Sequence, residues 1–387
     1  MIESWMRKLV VGLSVAACAL GTSAGVVEIP GTEGVLTLLG TNDRGDLLWS
    51  PRSGGLRMST RDAAGTYTHL AIDAAVMGKG WAYTSLAANG DAVWLGIDSA
   101  GVQNIYYYDA TTKASRALTI DAARYNMPQI GGNGNAAWPS YVPLCNGCAD
   151  GAFHIYYLHK ASGQITRLSA AAQASLPIAM NARGDAYWFE RAADGTTEIR
   201  RHNATTRVTT VAVRRPAGTG GRSIAVSDFG ELAWTEGVAG TSQVDVFAYD
   251  PRGGGVRRIT NTPAEDSTVR INAIGDLVWR VGPQVWQHDR RAVRNTMIGA
   301  NGTYGGNYAM NDLGEVAWSK QLSDYVVEMH FYKRATAGDV AVRPGQPFPM
   351  EGQPAVNAAG DVFYVTSWGT DWLQSRIVRA TRDFICN

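Results

Sequence analysis

The sequence predicts an all-β protein: a single eight-bladed antiparallel β-propeller, four strands to a blade, with the N-terminal strand closing the last blade. Three observations carry this. A nine-residue pattern of turn, glycine, acid and apolar strand ending in an aromatic occurs eight times in the 387 residues, with Asn135 in place of the acid in the third copy. The aromatic ends, Trp49, Trp94, Trp138, Trp188, Trp234, Trp279, Trp318 and Tyr364, follow one another at 45, 44, 50, 46, 45, 39 and 46 residues. Such spacing marks a repeating structural unit. Between copies runs a second pattern of aromatic-rich strand, polar turn and strand, as in Ile105–Thr119, Ile155–Ser169 and Val246–Thr260.

Each copy dictates a hairpin. In TNDRGDLLW (Thr41–Trp49) and INAIGDLVW (Ile271–Trp279), asparagine precedes the acid by four residues and glycine precedes it by one. Asparagine side chains bond nearby turn backbone, and glycine takes the left-handed conformation that closes a short loop. Apolar residues on both sides supply the strands. With the second hairpin, each repeat holds four strands. A four-stranded sheet apolar on both faces must be sandwiched between neighbours, which is the position of a propeller blade.

The chain resembles the TolB-like propeller repeats. The likeness rests on the glycine turn running into an apolar strand with an aromatic end, followed by the "I-Y-x-x-D-x-x-T-G" and "R-x-L-T" patterns. IYYYDATTKASRALT keeps the I-Y, D, T and R-x-L-T of these, and VFAYDPRGGGVRRIT keeps the D, the G and the R-x-x-T. The turn here is Asn-x-x-Gly-Asp, where the family has Ser-Pro-Asp-Gly, and the repeats number eight, where six is commoner. The resemblance implies a propeller that serves as a binding platform, a scaffold or an enzyme appendage.

Taken in order, residues 1–24 read as a signal peptide, with Arg7 and Lys8 ahead of the apolar run Leu9–Leu20 and small residues at Thr22–Ala24. Val15–Cys18 also fits a lipoprotein box, so Cys18 is a candidate for lipidation, and periplasmic or extracellular export stands beside membrane anchoring. Residues 25–387 form the propeller domain. Val26–Ile29 is a spare strand before the first hairpin, and the last repeat is one strand short, so the first completes the last.

Without residues 1–24 the chain carries 33 basic and 33 acidic residues. A neutral balance argues against nucleic acid as a partner. Arg doublets at 200–201, 214–215, 257–258 and 290–291 fall in separate repeats and are expected on solvated outer edges. Cys145 and Cys148, in the insertion Pro139–Ala152, are expected to form a local disulfide, because one C-x-x-C lacks the second pair of a zinc site. Cys386 is then left over. The six histidines show no metal-ligand spacing, and the acids after each glycine are spread one per blade, so no metal or cofactor is expected. Those acids are expected to bond turn amides, and the repeated tryptophans to fill the spaces between blades.

Alternating connections divide the blade ends between two faces. The Asn-x-x-Gly turns and the third-to-fourth-strand turns share one, and are short and alike. Longer and more varied loops share the other, and variation of that kind is where function is grafted on a scaffold. Arg124, Tyr125, Tyr141, Arg222, Glu265, Asp266, Tyr304 and Glu351 are the candidate binding residues of this loop-rich face. The expected function is non-enzymatic binding or scaffolding directed at a glycan, peptide or envelope protein. The alternative is a propeller enzyme acting on polysaccharide, a lyase or glycosidase, whose residues would come from several blades. No catalytic residue is legible.

Overall fold

The structure is a computed structural model that describes residues 25–73, 83–97, 101–120, 125–143, 151–169, 174–253, 255–300, 308–323, 326–342, 354–366 and 374–385. The predicted residues Cys18, Arg124, Cys145, Cys148, Tyr304 and Glu351, and residues 1–24, lie outside these. Thirty-two strands form eight four-stranded antiparallel blades. Blade 5 is typical: Gly221–Val226, Leu232–Gly237, Val244–Tyr249 and Val256–Arg258 pair in chain order. Closure is as the sequence predicts. Val26–Glu28 pairs antiparallel with Arg376–Ala380 of blade 8, Val26 opposite Ala380. The seam is tied further by Thr32 Oγ, which accepts from the Ile377 amide at 3.0 Å, and by the Ser375 hydroxyl, which donates to the Val35 carbonyl.

The core lies between blades. Tyr187, Phe189, Ile199 and Val213 of blade 4 pack on Ile224, Leu232 and Trp234 of blade 5, and the same arrangement recurs around the ring. All seven repeat tryptophans are buried, as interblade core requires.

One bonding scheme builds all eight turns. The amide of the residue four before the acid position donates to that position's carbonyl, as in Asn42 N to Asp46 O at 3.3 Å, and its own carbonyl accepts from the glycine amide, as in Gly45 N to Asn42 O at 2.9 Å. The eight glycines hold φ between +74° and +88°. Asparagine adds its side chain: Oδ1 of Asn42, Asn181, Asn272, Asn311 and Asn357 accepts the amide of the acid at 2.8–3.0 Å, and Ser227 Oγ does so for Glu231 at 3.1 Å. The third copy lacks asparagine there because backbone meets backbone. A Cβ on Gly131 would lie 2.6 Å from Gly184 Cα and 2.8 Å from the Asn181 carbonyl of blade 4.

Two features depart from expectation. The insertion Pro139–Ala152, read as irregular loop, instead prolongs a hairpin: Pro139 pairs with Ile155 and the register runs out to Pro143 opposite Gly151. Tyr141 and Phe153 meet edge-on across it at 5.7 Å, which fits the preference of aromatic pairs for paired strands. The prolonged strand then pairs Phe153 with Ala174, fusing blades 3 and 4 into one eight-stranded sheet.

Candidate functional site

On the Asn-x-x-Gly face the repeated acids are committed to the scaffold. Asp46, Asp91, Asp185 and Asp276 each accept, through Oδ1, the amide that opens the third-to-fourth-strand turn of the same blade, from Arg61, Ala110, Ala204 and Arg290 at 2.9–3.0 Å. The acid thus joins the two hairpins of its blade. Its other oxygen takes a cation. Lys160, Arg290, Arg334 and Arg382 reach back one blade to Asp91, Glu231, Asp276 and Glu315, the last two at 2.6 and 2.7 Å. Arg201 and Arg379 serve Asp185 and Asp361 within the blade at 2.7 and 2.8 Å. Burial raises Asp276, which the Arg290 amide and the Arg334 guanidinium oppose. Sequence reasoning missed these interblade ties. Their signal is a basic residue just after the third strand, as at Lys160, Arg290, Arg334 and Arg382, although Arg61 stands at the same place in blade 1 and makes no such tie among the described ion pairs.

A second latch sits on the same face. Asp228 of blade 5 and Asp312 of blade 7 accept the amides of Ala182 and Ala273 from the preceding blades at 3.0 and 2.8 Å. Asp43 does the same for Ala358 across the ring closure, and burial, then the charges of Asp312 and Asp228, push its carboxyl up. Among the described residues no group of three or more acids, histidines or cysteines has the geometry to hold a metal.

The loop-rich face is built differently. Its charges gather at blades 4–6, where ends of several strands converge. Glu236, buried at the end of the second strand of blade 5, takes Arg215 of blade 4 through two nitrogens, Nε at 3.0 Å and Nη2 at 2.6 Å, and the Trp234 indole N–H at 2.8 Å. The guanidinium lies over the Phe247 ring, 4.8 Å from its centroid. Arg258 binds buried Asp245, and Arg200 and Arg214 bind buried Glu198. The Arg doublets are therefore not merely solvated edges, as the sequence suggested. A buried carboxylate needs a cation or several hydrogen bonds to stay charged, and these arginines supply the cation.

At the centre of this cluster one hydroxyl serves two acids. Thr260 Oγ accepts the Val246 amide at 2.8 Å and lies 3.3 Å from Asp245 Oδ1 and within hydrogen-bonding reach of Asp266 Oδ2. A hydroxyl has one proton to give. The contacts are satisfied when protonated Asp266 donates to Thr260 and Thr260 donates to Asp245. Burial raises the Asp266 carboxyl to about 6, against the Thr260 bond and with the Asp245 charge.

The candidate residues within the described chain fall into two groups. Arg222 and Glu265 form an ion pair with 58% and 62% of their side chains exposed, between the starts of the first strands of blades 5 and 6. Asp266 follows Glu265 directly, but it opens a strand and is 1% exposed, where the sequence suggested a solvated loop. Tyr125 and Tyr141 belong to blade 3. Tyr125 bridges to Ser140 and is buried in the core between blades 2 and 3, while Tyr141 is half-buried. A groove of about 450 Å³ on the opposite face, bordered by Arg44, Arg61, His69 and Lys113, had no counterpart in the sequence reading.

The sequence matches no protein-family model and no curated protein. The fold is similar to solved structures. Oligogalacturonate lyase in complex with manganese is 9% identical, with a TM-score of 0.51 over 91% of this chain and 99% of that one. Puromycin hydrolase is 13% identical with a TM-score of 0.53, over 89% of this chain and 60% of the hydrolase. TolB from Acinetobacter baumannii is 14% identical with a TM-score of 0.41, over 72% and 76% of the two chains. At these identities the likeness to the lyase and the hydrolase shows a propeller fold and nothing finer. No helix among the described residues is long and apolar enough to cross a membrane.

Proposed function

We propose that the protein is a non-enzymatic binding or scaffolding module that engages a glycan, peptide or envelope protein through its loop-rich face. The observation that carries this reading is the exposed Arg222–Glu265 pair, seated over the buried acids of blades 4–6 on the face where blades differ most. A charged pair held at the surface by the strands beneath it presents both signs to a partner at little cost in order. Screening the intact protein against a polysaccharide and peptide panel, for binding and for products, tests it. Binding without turnover, weakened by Arg222→Ala with Glu265→Ala, is expected; turnover, or binding indifferent to both substitutions, contradicts it.

The Asp245–Thr260–Asp266 arrangement favours a second reading, an enzyme acting on polysaccharide, because a carboxyl raised to about 6 is suited to proton transfer. Its burial argues for a structural role, and product formation abolished by Asp266→Asn would establish the enzyme. We also read the chain as exported. Mass spectrometry of the mature N-terminus should show a start near Gly25, or a lipidated Cys18 if it is anchored, whereas an intact Met1 excludes both.

A further inference from the structure

At the Asn-x-x-Gly end, three seams of the ring are closed by a single cation that reaches back between two carboxylates. Lys160 lies between Asp91 and Asp109, Arg290 between Glu231 and Asp250, and Arg334 between Asp276 and Asp289, the second contacts at 3.7, 2.6 and 2.9 Å. The seam between blades 3 and 4 has none of these three groups. Asn135 stands at the acid, His159 at the place of Asp109, Asp250 and Asp289, and Ala204 at the place of the cation.

Imidazoles fill the space instead. His159 of blade 3 and His202 of blade 4 lie 5.6 Å apart, both pack on the Tyr157 ring, at 4.6 and 4.7 Å, and they are 6% and 2% exposed. His202 meets the Thr209 hydroxyl through Nδ1 at 3.1 Å, and its Nε2 has no partner. The charges that face the pair are Arg207, in the turn of blade 4, and Asp185, which is already held by Arg201 at 2.7 Å and by the Ala204 amide at 2.9 Å. Lys160 is turned to blade 2. Among the described residues neither ring has a carboxylate within ion-pair distance, whereas buried His330 of blade 7 has two, Glu328 at 2.9 Å and Asp339 at 2.8 Å. His288 is buried at the position of His202 in blade 6 with its Nε2 likewise unpartnered, but the preceding blade carries Asp250 where His159 stands. Two imidazoles meet at the seam between blades 3 and 4.

The opposite end of this seam is tied by backbone. Phe153 pairs with Ala174, so the two blades are one sheet there. We propose that the seam is an acid-operated hinge: protonation of His159 and His202 parts the Asn-x-x-Gly ends of blades 3 and 4 while the strand pairing holds their loop-rich ends together. A buried imidazole without a carboxylate stays neutral, because an imidazolium there loses its hydration. A second imidazolium 5.6 Å away adds repulsion, and Arg207 adds more. Burial, then the His159 charge, hold the His202 imidazole down at about 4 against the pull of Asp185, and burial, then Arg207, lower His159. In an opened seam both return toward the ordinary 6.5, so opening takes up protons. Closure is therefore full above about 6.5 and is lost as pH falls toward about 4. Opening breaks the neutral ties across this end, Tyr157 Oη to the Gly184 carbonyl at 2.6 Å and Asn133 Nδ2 to the Arg183 carbonyl at 2.7 Å.

The test is hydrogen exchange read by mass spectrometry on the full-length protein at about pH 7 and about pH 4.5, with rates corrected for the intrinsic pH dependence of amide exchange. Peptides covering Gly131–Asn135 and Asn181–Asp185 should lose protection by about tenfold or more on acidification, while those covering Asn272–Asp276 of blade 6 and the pairing at Phe153 keep theirs. His159→Gln together with His202→Gln should abolish the loss. Should that variant fail to fold, NMR titration of the wild-type protein decides: the two imidazoles that cross-relax with the Tyr157 ring should both titrate below 6.5. Unchanged protection at Gly131–Asn135 and Asn181–Asp185, an equal loss at Asn272–Asp276, a loss that survives the double substitution, or either imidazole titrating at or above 6.5 overturns the hinge.

Discussion

The two ends of the propeller use the same residue types in opposite ways. On the Asn-x-x-Gly face acids and cations recur at fixed positions: Asp276 receives the Arg290 amide within its blade and the Arg334 guanidinium from the next, and Glu315 is held by Arg382 of the next blade. On the loop-rich face a scheme recurs in some blades and is missing from others: Trp188 and Trp234 each donate to the glutamate two residues on, and the other repeat tryptophans have no such glutamate. Glu236 ties an arginine stacked on Phe247, Asp245 and Asp266 share a threonine, and Trp138 has no polar partner at all. Repetition of a costly arrangement marks what every blade needs to join its neighbours. Its absence marks positions the scaffold does not dictate.

Substitutions on the two faces should therefore differ in what they damage. The largest effect is expected from Arg334→Ala, which leaves the buried Asp276 carboxylate without its cation. Chemical denaturation should show a loss of about 3–5 kcal/mol, and a loss below about 1 kcal/mol would mean the interblade tie is incidental. Gly275→Ala comes next, because φ is +84° and the added Cβ would lie 2.7 Å from Glu231 Oε2 and Arg290 Cδ. About 1–3 kcal/mol of destabilisation should follow.

Asp266→Asn moves stability in a pH-dependent way. The folded carboxyl sits near 6, above its ordinary 3.8, so the folded state binds the extra proton between those values. Wild-type stability should fall as pH rises from about 4 to 6, by about 1–3 kcal/mol in all, and the variant should lose that slope. A slope that survives the substitution assigns it to another group. Smallest for stability is Arg222→Ala, which removes an exposed pair and should change unfolding by less than about 1 kcal/mol.

Much of the scaffold was legible because it repeats. Eight glycines in register gave the blade count, and the spare strand at Val26 gave the closure. The interblade ties were not legible. Arg334 lies 58 residues from Asp276 in sequence, and nothing local distinguishes a cation that reaches the previous blade from one that faces water. Nor could periodicity reveal that Asp266 would be buried, since its neighbour Glu265 is exposed. Period-two alternation carries little information over the first two residues of a strand.

The division of labour between the faces is tested most directly by measuring ligand affinity and unfolding free energy together for Gly275→Ala and for the Arg222→Ala/Glu265→Ala double variant. Gly275→Ala should lose stability by about 1–3 kcal/mol and bind as wild type while folded, whereas the double variant should stay within about 1 kcal/mol of wild type and lose binding. Binding lost in Gly275→Ala under folded conditions, with the double variant binding normally, would contradict the account.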